Sequence, residues 1–240
     1  MTGCNCSIVS RHPLHARHDL WPYRTHPGII WTMPALRFES VSDPIATPEV
    51  LEAITKLLVR LEPMGLLPRL KRPLVLDLNL VRDLARVLSD RGIGRGAMAA
   101  VFAPGFKDPA RLQSALEAMV RDLEGSRVPE TEWGALVDIL EPELLGELVG
   151  VSPSSVRRYV SGERKTPDDV AERLHFLALL VGELAGAYNE VGIRRWFARP
   201  RSQLGGKKPA ALLARDWTPD DEGPRRVREL ASSLAGSPAT

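Results

Sequence analysis

The chain has 240 residues, enough for one large domain or two small ones around a buried core. Hydrophobic residues make up 44% and charged residues 26%, and no run of eighteen apolar residues is present to span a membrane. The two cysteines, Cys4 and Cys6, exclude a disulfide framework and fit a reducing cytoplasm. The net charge of +2 says little as a total, so its distribution carries the argument. From Val151 to Arg215 there are twelve Lys/Arg against six Asp/Glu, which leaves the remainder slightly acidic. Such local basicity attracts polyanions or acidic partners.

Residues 1–43 differ from the rest. Four of the five histidines (His12, His15, His18, His26) lie here, and no amphipathic period runs through them. Structural zinc sites space paired cysteines by two or more residues, so Cys4 and Cys6 are not expected to hold metal. The segment reads as a disordered tail, with Met33 as an alternative start. It lacks the apolar stretch of a secretory signal.

From residue 44 onward the pattern is helical, and the expected fold class is all-α. Leu, Ala, Val, Arg and Glu recur in spaced sets, while aromatics are only 5%. Thr47-Pro48, Asp108-Pro109, Ser152-Pro153 and Thr166-Pro167 each set a capping side chain before a proline suited to a first helical turn. Lys208-Pro209 keeps the proline without the cap. Residues 44–130 thus form a helical N-terminal region, with one helix from Pro48 to Pro63, one from Asn79 to Asp90 and one from Pro109 to Gly125. Between the first two, Leu74 to Leu80 alternates, which suits a short strand or an extended arm. Gly92 to Gly96 ("GIGRG") lacks the lysine-serine ending of a phosphate loop and reads as a flexible turn.

Residues 131–190 carry the clearest arrangement. Thr131 to Leu140 and Pro142 to Val149 are two short helical segments, followed by Gly150, a residue tolerant of positive φ. Val151 tucks inward, Ser152 caps the next helix, and Val156 with Val160 is expected to face the core. The spacing is that of a helix-turn-helix, whose second helix enters a major groove. Ser154, Ser155, Arg157 and Arg158 then meet base edges, while Arg164 and Lys165 in the following loop meet phosphates. Tyr159 suits either the core or a phosphate. A long helix follows from Thr166-Pro167, with Asp168 and Asp169 in its dipole-favoured first turn. His175 on that helix reads as a surface or satisfied core residue rather than a ligand.

Residues 191–240 contain "WFARPRSQLGGKKPAALLARDW", Trp196 to Trp217, and a final amphipathic helix marked by Val227, Leu230 and Leu234. By itself this is a compact helical cap, anchored by Trp196 and Phe197 and turned at Gly205-Gly206. A helix-turn-helix, a long helix, a Trp, a Leu-Gly-Gly turn and Pro-x-x-Leu-Leu in this order resemble the Xre/MbcA/ParS family of antitoxins. The residues that carry the resemblance are Trp196, Pro200, Leu204, Gly205, Gly206, Lys207, Pro209, Leu212 and Leu213. It covers about residues 130–240.

The resemblance implies that this segment binds and occludes a cognate toxin, a RES-type NAD-degrading enzyme first and a PIN-type ribonuclease second. It also implies repression of the antitoxin's own operon, and a homo-oligomer. Family members are considerably shorter, and residues 44–130 have no counterpart among them. A stand-alone transcriptional regulator, with residues 44–130 as sensor or dimerisation region, is the alternative. An enzyme is disfavoured, since no nucleophile with a base, metal cluster or nucleotide loop stands out, and no cofactor is expected. Deletion of residues 225–240 is expected to release the toxin and spare DNA binding.

Overall fold

Proline and a capping side chain coincide at four expected helix starts, and the computed structural model shows which of those caps form. It describes residues 31–32, 37–67, 74–104, 106–214 and 216–235. Helix α1 spans Pro48–Leu61, α2 Leu78–Asp90, α3 Arg95–Val101, α4 Pro109–Glu124 and α5 Pro129–Val149. Then come α6 (Pro153–Val160), α7 (Asp168–Ala185), α8 (Glu190–Ala198), α9 (Pro209–Leu212) and α10 (Glu222–Ala235). The class is all-α, with three short strands at the N-terminal side.

Asp108 accepts from the Arg111 amide at 3.1 Å and Ser152 from the Ser155 amide at 3.2 Å, so these two caps form as the sequence implies. The two threonines are used otherwise. Thr47 Oγ1 donates to the Pro44 carbonyl, and Thr166 Oγ1 accepts from the Trp133 indole. Asp77, inside the alternating Leu74–Leu80 stretch, accepts from the Leu80 amide at 2.8 Å. That cap splits the stretch, leaving Leu74–Leu76 as strand β3 and the remainder as the start of α2.

Strand β3 has a partner that lies inside the expected tail. Trp31–Thr32 (β1) and Arg37–Val41 (β2) pair antiparallel, and β2 pairs parallel with β3 in the register Phe38↔Leu74, Ser40↔Val75, Val41↔Leu76. Phe38 is 5% exposed and belongs to the core, so a tail extending to residue 43 is incorrect. The Cys4, Cys6 and histidine set, and the alternative start at Met33, lie outside the described residues. The "GIGRG" stretch turns at Gly92 and Gly94 and then enters α3 at Arg95.

Helix α7 is the centre of the fold. Leu174, Leu177, Leu180, Val181 and Leu184 are fully buried along it, each worth about 1.5–3 kcal/mol of gross stabilisation. It packs against α1, α5, α8 and α10. The core runs without a gap from Phe38 to Ala231, so the boundaries expected at residues 130 and 190 fall within shared packing.

Polar groups cross the same boundaries. His175 of α7 is a satisfied core residue: Nδ1 lies 2.7 Å from Glu132 Oε1 of α5, and Nε2 lies 3.0 Å from the Glu124 carbonyl at the end of α4. A carbonyl only accepts, so Nε2 carries a proton, and the second proton lies between Nδ1 and the carboxyl. Burial works against the charged ring, but Glu132 outweighs it and the His175 pKa is raised. Burial also raises the Glu132 carboxyl, against the pull of His175. On the same helix, burial raises Glu183, which accepts from Ser232 Oγ at 2.9 Å and faces Arg228 at 3.7 Å, both on α10.

Candidate nucleic-acid interface

Helix α5 is two helices in one. Glu141, with φ 66° and ψ 152°, breaks it just before Pro142, as the two sequence segments imply. A non-glycine residue held there costs about 1–3 kcal/mol, which the surrounding contacts must offset. The second half is the supporting helix, ending at Gly150 with φ 77°, and Val151 donates back to the Gly146 carbonyl at 2.9 Å. Leu145, Leu148, Val149 and Val156 are fully buried between the supporting helix and α6. At Gly146 a Cβ would stand 2.8 Å from the Val151 carbonyl oxygen, so the turn closes onto a position that only glycine leaves open. Sequence reasoning missed Gly146; its signal was a small residue set among Leu144, Leu145, Leu148 and Val149.

On α6 the inward positions are Val156 and Tyr159. Tyr159 is 6% exposed and stacks on Trp133 with centroids 4.9 Å apart and an interplanar angle of 14°, which places it in the core. Val160, expected to face inward, is 46% exposed instead. The helix ends there, and the i+3 position after Val156 takes the buried place that i+4 was assigned.

The outward positions carry the expected polar set. Ser154, Arg157, Arg158, Arg164 and Lys165 are exposed, and Ser155 is half-buried. Ser152 Oγ lies 2.8 Å from Ser154 Oγ and 3.0 Å from Ser155 Oγ, so the cap orients both hydroxyls. Arg158 Nε is 3.9 Å from Glu163, an exposed pair worth at most about 1 kcal/mol and easily exchanged for a phosphate. Among the described residues the exposed Arg157 side chain has no hydrogen-bond or ion-pair partner, so its guanidinium is free to take one. Arg164 is held differently, its guanidinium 5.4 Å above the Tyr159 ring. Trp133, Tyr159 and Arg164 thus form three layers, and the Trp133 indole anchors the loop at Thr166 with a 2.9 Å bond. The turn that carries Arg164 and Lys165 is therefore tied to the core at Tyr159 and Thr166.

The C-terminal candidates divide by burial. Trp196, Leu204, Pro209 and Leu213 are buried, Leu212 is half-buried, and Pro200, Gly205, Gly206 and Lys207 are exposed. Trp196 meets Phe197 edge-on at 5.2 Å and carries the Arg201 guanidinium over its face at 5.4 Å. The Arg201 amide donates to the Lys207 carbonyl and the Gly206 amide to the Arg201 carbonyl, closing a loop that presents Gly205 and Gly206 outward. Arg226 of α10 donates to the Gln203 carbonyl at 3.1 Å and ties the last helix to this loop. The buried residues are the underside of the exposed turn.

Helix α10 is itself core. Val227 and Ala231 are fully buried and the helix lies along α7, so removing residues 225–240 would uncover α7 as well as any partner surface. Two further residues escaped the sequence reading. The Trp217 indole donates to the Leu148 carbonyl at 2.8 Å, and Arg194 Nη1 donates to the Ile139 carbonyl at 2.7 Å. Among the described residues no single helix is long and apolar enough to cross a membrane. Comparison of the chain with protein-family models, curated proteins and solved structures finds no match.

Proposed function

We propose that the chain is a DNA-binding antitoxin: it contacts operator DNA through α6 and the turn after it, and holds a partner protein on the loop from Pro200 to Lys207. One observation carries the DNA half. A glycine-turned helix pair exposes Ser154, Arg157 and Arg158 on one short helix, and sets a stacked Arg164 beside Lys165 at its exit. The free Arg157 suits a guanine edge, and Arg158, Arg164 and Lys165 suit phosphates. The toxin half rests on the antitoxin resemblance, and on a rigid, outward-facing loop whose buried underside keeps its shape without the partner. Inhibition by occlusion asks for no catalytic group, which fits a surface of turn, lysine and proline.

The test pairs two measurements. The duplex upstream of the chain's own gene is titrated in fluorescence anisotropy against wild type, R157A and R164A at several salt concentrations. R157A should lose about 1–3 kcal/mol against its preferred sequence and little against random duplex. R164A should weaken both about equally and reduce the salt slope by about one. Co-expression with the product of the adjacent reading frame addresses the partner. A stable, catalytically silent complex supports the antitoxin reading, while DNA binding without any such complex returns the chain to a stand-alone regulator.

A further inference from the structure

We propose that Trp217 and Arg194, both outside the DNA-reading helices, are positioning residues that set how the supporting helix is presented to the duplex. The inference rests on the DNA-binding reading above. Because α5 breaks at Glu141, its second half does not inherit its direction from the first. The break and the far end of that half are held instead by side chains from beyond α7. At the break, Arg194 of α8 donates Nη1 to the Ile139 carbonyl at 2.7 Å, in the last turn of the first half, and sets Nε 3.4 Å from the carboxylate of Glu141, which joins the two halves. At the finish, the Trp217 indole donates to the Leu148 carbonyl at 2.8 Å. Both acceptors lie in the last turn of a helical half, where carbonyls lack partners within the helix.

The grip is itself anchored. The Trp217 ring is buried edge-on against Phe176 of α7 at 5.1 Å, and Asp216 beside it lies 3.5 Å from Arg173 of α7. The Trp133–Tyr159 stack pins one side of α6 to the first half of α5, which leaves the tilt about that stack to the two clamps. Helix α6 moves with the supporting helix, since Gly146, Val151 and Val156 interlock across the turn. Side chains of α6 must reach base edges and several phosphates together, so a tilt lowers the number of simultaneous contacts.

The test measures W217F, R194M and R194K against a duplex that the wild-type chain enriches from a random pool, by anisotropy across a range of KCl concentrations. Phenylalanine at 217 keeps a ring against Phe176 and removes the indole N–H. W217F and R194M should bind about 5- to 10-fold more weakly, with a salt slope shallower by about one phosphate. R194K, which keeps a donor for the Ile139 carbonyl, should recover part of the loss. Trp217 is uncharged and buried, so a shallower slope in W217F is not the loss of its own phosphate contact. A smaller folded fraction would reduce the titratable protein and leave the slope intact. Should W217F fail to fold, R194M and R194K decide the matter. Wild-type affinity and slope in folded W217F and R194M overturn the inference. A wild-type chain that enriches no duplex overturns the DNA-binding reading itself, and the inference with it, before any variant is made.

Discussion

The turn between the supporting helix and α6 can be tested without DNA, by placing one methyl group at Gly146. Two effects oppose each other. Alanine gains up to about 1 kcal/mol over glycine inside a helix. Against that, the new Cβ would sit 2.8 Å from the Val151 carbonyl oxygen, 3.5 Å from the Pro153 nitrogen and 3.5 Å from Val156 Cγ2. The nearest atom is backbone in a turn already held by the Val151–Gly146 hydrogen bond, so it cannot rotate aside as a flexible side chain would. Overpacking of this kind costs about 1–3 kcal/mol and wins. Gly134, in the first half of the same helix, has nothing within 4 Å of its would-be Cβ and serves as the control. G146A should be less stable than wild type by about 1–2 kcal/mol net. Its Tm should fall by about 2–8 °C at this chain length. G134A should hold or gain stability. Urea unfolding with m values compared across the three chains reads the difference. Equal stability of G146A and G134A would refute the close approach, and with it the packed helix-turn-helix.

The buried pair and the buried carboxylate give two further outcomes through pH. The raised His175 pKa means that the protonated pair stabilises the fold fully below the ring's ordinary value of 6.5, and that this contribution is lost as pH rises through the raised folded value. Wild type should therefore lose denaturant resistance as pH rises above 6.5, and H175Q should not; parallel curves would remove the pair from the stability of the fold. Glu183 is also raised, so wild type should gain stability as pH falls through its folded value towards 4.5. E183Q, which keeps a polar partner for Ser232, should gain less there, since Glu132 is raised in both chains, and an identical gain in both would show that Glu183 does not carry it.

What the sequence made legible was local. Ser152 and Asp108 cap as their neighbours in the chain imply, because a cap needs three or four consecutive residues and little else. The helix-turn-helix is legible for the same reason, down to the break that Pro142 announces. Strand β2 was not, since "RFESV" carries no clear period and pairs with β1 on one side and with β3, more than thirty residues away, on the other. Helix α3 reads "RGAMAAV", too short and too rich in alanine to show a period, and it depends on packing between α2 and α4. The polar links were the least legible. Trp217 to Leu148 spans 69 residues, Arg194 to Ile139 spans 55 and His175 to Glu132 spans 43, and each depends on how helices cross.

Those long links also give residues 44–130 a physical place. A unit of about sixty residues, the size of segment 131–190, buries only about 60% of the surface its unfolded chain exposes and is marginal alone. Its central helix, α7, is buried on nearly every side, which a pair of short helices cannot cover. Helix α1 covers one side of α7, α10 another, and α5 and α8 the remainder. The His175–Glu132 pair and the Glu124 carbonyl then bolt α4, α5 and α7 together. The N-terminal region is thus part of the foundation on which α5 and α6 stand. Trp217 keeps its grip on α5 through Phe176 of α7, and α7 is itself held by α1 on another side.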